Sequence, residues 1–233
     1  MPSYYVPQLC ANLTEITLEG DEFHHLSHVK RVAVGDAIKL NNGKGIIAEA
    51  KIATMSKRNA KLQINAINEA SAPSKPFAIA FALLKNKHDE LIIEKCTELG
   101  ALQFFPFTSE HSVRTASDNA SQRFERITLA AIKQCDNPFL PTIHPPQALH
   151  AALARIAECG WQPIVCSESR PDVWLRDLKL NSPPCFVIGP EGGWDKGELS
   201  LFAHFSISEI SISRLILRAE TAAIAIASQY AGS

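Results

Sequence analysis

Cys185-Phe186-Val187-Ile188-Gly189-Pro190-Glu191-Gly192-Gly193-Trp194, continued by Asp195-Lys196-Gly197-Glu198-Leu199, is the stretch on which the reading of this chain turns. The first four residues are a short apolar run, suited to a strand buried on both faces. Gly189-Pro190 ends regular pairing. Gly192 and Gly193 allow positive φ and a close backbone approach to a ligand. Asp195 and Glu198 have the spacing of a helix N-cap and its N3 partner, just ahead of Leu199 and Phe202. The stretch therefore predicts strand, glycine turn, helix. Open α/β sheets bind ligands where strands end in such turns.

What this turn binds is left open by its residues. Glycine turns between strand and helix often cradle phosphate. Here a carboxylate, Glu191, sits inside the turn, and neither a Walker lysine nor a full G-x-G-x-x-G is present. That favours a neutral or cationic ligand over a polyphosphate. A tight loop that needs glycine only for its own path is the alternative.

Outward from the turn, the chain alternates strands and helices from Phe77 onward. Phe77–Leu84 is an unbroken apolar run and predicts a buried strand. A helix follows with Ile92, Cys96 and Leu99 on one face and Gly100 as its stop. Strands are predicted at 101–107, 162–166 and 209–212. Helices are predicted at 123–135, 147–158, 199–205 and 219–230, with a turn or two over 172–178. Pro138, Pro141, Pro145 and Pro146 mark an irregular crossing. This β-α-β-α order predicts a mostly parallel sheet covered by helices.

Residues before about 70 are different. Thr14–Leu18, Asp36–Leu40, Ile46–Ile52 and Lys61–Ile67 predict strands. Asn41-Asn42-Gly43-Lys44-Gly45 is a hairpin signal, because Asn and Gly accept positive φ. Phe23, Leu26, Val29 and Val32 recur about once per helical turn. His24, His25 and His28 lie off that face; a metal site would need a further carboxylate or cysteine, so a solvated face is expected and no metal. Short strands with polar turns suggest a small barrel or sandwich. Ala70–Pro76, with two prolines and small residues, predicts the linker. The boundaries expected are 1–72 for a β domain and 73–233 for an α/β domain.

Composition excludes several classes. Of 233 residues 46% are hydrophobic, enough for a real core, and the net charge of −1 offers no bulk attraction for nucleic acid or membrane. The longest apolar run is far too short to span a bilayer. Met1–Tyr5 has neither a basic nor an apolar leader pattern, so no signal peptide is expected. Six cysteines without a C-x-x-C pair suggest reduced thiols in a cytoplasmic protein.

A second informative stretch is Ser211-Ile212-Ser213-Arg214-Leu215-Ile216-Leu217-Arg218-Ala219-Glu220-Thr221-Ala222. Charges flank an apolar triplet where a strand passes into a helix. Such a segment offers a flat ligand an apolar wall with charges at its edge; an ordinary junction with solvated arginines is the bland alternative.

Taken together, these residues resemble the RsmE family of 16S rRNA uridine N3-methyltransferases, of the SPOUT class. The resemblance rests on Ile188–Gly193 with Glu198, and on Leu215-Ile216-Leu217-Arg218 with Glu220-Thr221-Ala222. It extends to His24-His25-Leu26 with Val29 and Arg31, to Lys85, Lys87 and Glu90, to Glu94–Gly100, and to Gln134 with Pro138 and Pro141. It covers nearly the whole chain. There are departures: Cys135-Asp136-Asn137 stand where the family usually places a small residue and an arginine, Ser213 replaces a glycine, and Trp194 replaces a smaller aromatic.

The resemblance implies a PUA-like β-barrel domain that helps hold RNA, followed by a SPOUT α/β domain with a trefoil knot. It implies a homodimer, acting on 16S rRNA or the small ribosomal subunit, with S-adenosylmethionine as cofactor. The cofactor residues implied are Ser167, Gly189, Pro190, Glu191, Gly192, Gly193, Ile212, Ser213, Leu215, Ile216 and Leu217. Arg218 would stabilise a uracil anion and Glu220 would act as base or orienter. Phosphate contacts would come from Lys30, Arg31, Lys85, Lys87 and Arg114. Two rivals use the same residues: an RNA- or ribosome-binding protein that keeps the fold without catalysis, and a nucleotide-phosphate enzyme using the Gly189–Gly193 turn.

Overall fold

The computed structural model describes residues 1–29, 32–112, 120–167 and 172–232. The chain divides into two compact units. Unit one is Met1–Pro73 with Leu129–Leu140, and unit two is Ser74–Thr128 with Pro141–Ser233.

Unit one is a curled five-stranded sheet, the PUA-like half of the expected architecture. Its strands are β1 (Ser3–Tyr5), β2 (Glu15–Glu19), β3 (Ala37–Asn41), β4 (Ile46–Met55) and β5 (Asn59–Glu69), in the order β1-β3-β4-β5-β2. Strand alternation puts Ala48, Ala50 and Ile52 of β4 and Ala60 and Leu62 of β5 in its core. Two register shifts between β4 and β5, at Glu49/Ala50 and Ile52/Thr54, bend the pair as bulges do. Strand β1 was absent from the sequence reading: three residues carry no measurable period. It pairs parallel to β3 and buries Tyr4 fully. The helical segment predicted around Phe23–Val32 begins as α1 (Gly20–His24) and continues as a π-helical turn over His25–Val29, with Phe23 and Leu26 buried. The side chains of His28 and Val29 lie outside what the structure describes.

The hairpin at 41–45 forms, and its mechanism differs from the one the residues suggest. Gly43 and Gly45 take positive φ (69° and 102°), whereas the asparagines do not. Asn41 and Asn42 are instead buried, and their side chains stitch the turn. Asn41 Oδ1 accepts from Gly43 N at 2.8 Å; Asn42 Oδ1 accepts from Lys44 N at 2.7 Å and Ile46 N at 3.0 Å. The hairpin also receives the 136–140 segment. Asn41 Nδ2 donates to Asn137 O at 2.8 Å, Gly45 N donates to Pro138 O at 2.9 Å, and Lys39 pairs with Asp136. The departure at Asp136 thus braces unit one through its side chain, and Asn137 Oδ1 accepts from Phe139 N at 2.9 Å within the same segment.

Unit two is a seven-stranded parallel sheet. Its elements are β6 (Ala78–Ala82), α2 (His88–Glu98), β7 (Gln103–Thr108), the first part of α3 (Ala120–Cys135, which from Leu129 on belongs to unit one), β8 (Thr142–Ile143), β9 (Gln147–Ala148), α4 (Leu149–Glu158), β10 (Gln162–Cys166), β11 (Pro184–Ile188), α5 (Lys196–His204), β12 (Ser208–Ile210) and α6 (Ala219–Ala231). Strand order is β12-β10-β11-β6-β7-β8, with β9 also on β7. Strands β6 and β11 are buried throughout because both faces are covered. Phe77, Ile79, Phe81, Phe186 and Ile188 enter one core; Ala78, Ala80, Ala82, Cys185 and Val187 enter the other.

Two local expectations are corrected here. Gln147 and Ala148 are a strand, not the start of a helix, because Phe107 and Thr108 pair with them. The 172–178 segment condenses to one 3-10 turn, Leu175–Asp177. Among the described residues no helix is long and apolar enough to cross a membrane.

Candidate active site

Three neighbouring parallel strands, β10, β11 and β12, end at one edge of unit two, and a cavity of about 270 Å³ opens there. It is walled by Cys166 and Ser167 after β10, by Ile188–Glu191, Gly193 and Trp194 after β11, and by Ile212, Ser213 and Leu215–Ala219 with Ala222 after β12. All but one of the residues named for the cofactor stand on this wall. Gly192 is the exception.

Each glycine of the turn has its own reason. Gly193 has φ 73°, a left-handed conformation that L side chains resist. Gly189 lies against Trp194: a Cβ there would meet Cε2 at 2.8 Å. Gly192 was expected to take positive φ and does not. Its constraint is space, since a Cβ would stand 3.0 Å from His111 Cβ. His111 Nδ1 lies 3.2 Å from Gly193 O and holds the turn from the β7 side. His111 was missed in the sequence because nothing local links residue 111 to residue 193. Trp194 is set by its own packing, stacked with Phe107 at 6.0 Å and edge-on to Phe202 at 4.9 Å.

The predicted cap of α5 forms as a reciprocal box. Asp195 Oδ1 accepts from Gly197 N at 2.7 Å and Glu198 N at 3.1 Å, and Asp195 N donates to Glu198 Oε2 at 3.0 Å. Glu198 Oε1 also accepts from Glu110 N at 3.2 Å, tying the loop after β7 to the same helix start. Glu191 Oε1 accepts from Lys85 N at 3.3 Å, so the carboxylate on the cavity wall is oriented by the loop after β6.

On the opposite wall Ser213 does not take a left-handed φ, so the missing glycine imposes no strain. Its hydroxyl accepts from Leu215 N at 3.0 Å and shapes the turn. Leu215 and Ile216 are exposed, at 74% and 72%. Arg218 is exposed on the cavity wall and N-caps α6 with its backbone. Glu220 is not on the wall: it is buried and faces α2, with Oε2 3.5 Å from His88 Nδ1. Burial pushes the Cys166 thiol well above its ordinary range, so it contributes an apolar surface and no thiolate. Lys85 and Lys87 flank Asn86 in the loop after β6. Lys30, Arg31 and Arg114 lie outside the described residues. Among the described residues no cluster of His, Cys, Asp or Glu could hold a metal ion.

Residues 71–231 match the RNA methyltransferase domain family, and residues 18–65 match the RNA methyltransferase PUA domain family. The chain belongs to the RsmE family of RNA methyltransferases. It is 29% identical over 211 residues to ribosomal RNA small subunit methyltransferase E of Synechocystis, covering 89% of this chain and 69% of that one. To the protein of the same name from Aquifex aeolicus it is 26% identical over 232 residues, 98% of each chain. In fold it is similar to the crystal structure of a ribosomal RNA small subunit methyltransferase E from Neisseria gonorrhoeae bound to S-adenosyl methionine. That match has a TM-score of 0.88 at 23% identity, over 98% of this chain and 96% of the other. In this RsmE-family chain, then, the cavity at the strand ends lies within the region that matches the methyltransferase domain.

Proposed function

We propose that this RsmE-family enzyme uses S-adenosylmethionine to methylate N3 of a uridine in 16S rRNA of the small ribosomal subunit. One observation carries the reading: the Gly189–Gly193 turn, with Glu191 in it, faces the apolar Leu215–Leu217 wall across a single cavity at the strand ends.

The residues fit such a cofactor. Ile188, Ile212, Leu215, Ile216 and Leu217 offer an apolar slot for a flat base, with backbone groups along it. Glu191 offers a negative charge to a cation and would be out of place beside a polyphosphate. Ser167 offers a polar group at the end of β10. When bound, the cofactor supplies an electrophilic methyl on a positively charged sulfur.

The chain's own work is to bring the base to that methyl and to manage one proton. Uracil N3 carries a proton at neutral pH, which would pass to solvent water as the new bond forms. Arg218, exposed on the wall, would stabilise the negative charge that develops on the uracil oxygens. Glu220 faces His88 and not the cavity, so its role in this reading is to orient. Lys85 and Lys87 would contact RNA phosphates, with the PUA-like unit holding RNA as well. The target base must be unpaired or flipped out. Holding N3 in line with the methyl–sulfur bond supplies much of the rate. The reading includes a cytoplasmic homodimer, in which a second copy would cover the exposed Leu215 and Ile216.

The test begins with calorimetry. Saturable binding of S-adenosylmethionine at one site per chain, with none for ATP, is expected. Methyl transfer to small ribosomal subunits should then yield 3-methyluridine by nucleoside mass spectrometry, and Arg218→Ala should abolish it without abolishing cofactor binding. ATP binding in its place would overturn the reading, and a different methylated nucleoside would overturn the N3-uridine assignment.

A further inference from the structure

The loop after β6 is strained and tethered at both ends. Asn86 (φ 53°) and Lys87 (φ 64°) are consecutive non-glycine residues in the left-handed region. Asn accepts this region readily, whereas a lysine persists there only where its surroundings over-determine it. At one end, Lys85 N donates to Glu191 Oε1 on the cavity wall, and Lys85 O accepts from His88 N at 3.0 Å. At the other end the His88 ring faces Glu220, the second residue of α6 and the next one after the cavity-lining Ala219.

Glu220 is the unusual member. Its side chain is 11% exposed, and its Oε2 is fully buried with no hydrogen-bond partner among the described residues. A buried, unpaired carboxylate oxygen is costly. Among the described residues the imidazole of His88 faces it, at 3.5 Å and 31% exposed. A slightly shorter approach would make this a charge-assisted hydrogen bond. The arrangement joins the turn that carries two lysines to the helix start that carries Arg218.

We infer that His88 is a positioning residue. It holds Glu220, and through that contact it sets the Lys85–Lys87 turn, with its two lysines for RNA, against the start of α6. The inference rests on the methyltransferase reading above and adds to it a residue on which neither the cofactor nor the RNA resemblance drew.

A steady-state and binding comparison tests it on the full-length enzyme. His88→Ala is expected to raise the KM for small-subunit RNA about tenfold, the scale of coupling between neighbouring residues. Its kcat and its affinity for S-adenosylmethionine should stay within about twofold of wild type, as befits a residue off the cavity wall. His88→Lys puts a hydrogen-bond donor beside Glu220 and should restore the KM to within about threefold of wild type. In a Glu220→Gln background, His88→Ala should add no further loss. Three outcomes would overturn it: an unchanged KM in His88→Ala, a parallel fall in kcat, cofactor affinity and thermal midpoint with no rescue by Lys, or independent addition of the two losses. An active wild type with an inert His88→Ala sinks this inference alone. A wild type that neither binds S-adenosylmethionine nor methylates RNA sinks the methyltransferase reading and this inference with it.

Discussion

At Gly189 the absence of a single carbon matters because Trp194 occupies the space where a side chain would be. The ring cannot retreat: Phe107 stacks on it and Phe202 abuts it edge-on. Gly189→Val should therefore overpack the turn, at a cost of about 1–3 kcal/mol, and should press the indole into the cavity. The expected result is at least a tenfold weaker calorimetric affinity for S-adenosylmethionine, roughly 1.4 kcal/mol. Adding Trp194→Phe, which removes the ring atoms nearest Gly189, should recover part of it. Equal losses in the single and double variants would mean that the turn fails for a reason other than this contact. The glycine pattern was legible in the sequence. The cause at each position was not, since Gly193 answers to φ, Gly189 to Trp194 and Gly192 to His111.

Among the elements, the short crossing from α3 to α4 shows how an irregular segment earns its place in the sheet. Strand β8 is two residues long, and His144 follows it with its ring stacked on Phe105 at a centroid distance of 4.1 Å. Its Nε2 lies 2.9 Å from Gln103 Oε1. Burial, and then the positive charge of Arg155, hold this imidazole below its ordinary pKa. The sign follows from linkage. The unfolded chain takes up the proton more readily than the folded one, so the unit is fully stabilised above the unfolded value of about 6.5 and loses that contribution as pH falls through it toward the folded value. His144→Phe keeps the stacking and removes the titration. Thermal midpoints measured from neutral to mildly acid pH should fall less steeply in the variant than in wild type. Parallel curves would assign the acid loss to other groups.

Across the whole molecule, a contact between residues 96 apart in the chain deserves most of the interest. Asn41, fully buried in unit one, stitches its own turn and also donates to Asn137 O. Lys133 and Glu22, at 2.8 Å, add a second tie inside that unit. Asn41→Ala would remove the donor to Asn137 O and the acceptor of Gly43 N, a loss of about 1–3 kcal/mol. Hydrogen exchange should then quicken in the 41–46 hairpin and in Leu129–Leu140 together, while β6 and β11 keep their protection. Faster exchange confined to the hairpin would show that Leu129–Leu140 is held by other means.

The sequence by itself determined the class of the fold. Short apolar runs bounded by turn residues suit strands covered on both faces, and the Asp195–Glu198 spacing suits a helix start, so β6, β11 and α5 were readable from local pattern. The glycine turn read between strand and helix follows β11, and Gly189–Glu191 and Gly193 line one cavity with Leu215–Leu217. Tertiary structure decided what depends on distant partners. Strand β1 exists because β3 offers it a parallel edge, and Leu129–Leu140 belongs to unit one because the 41–45 turn presents donors to it. Glu220 faces α2 and His111 holds the glycine turn for the same reason. Periodicity reports the faces of one element, and it carries no record of which side chain from a hundred residues away will stand opposite them.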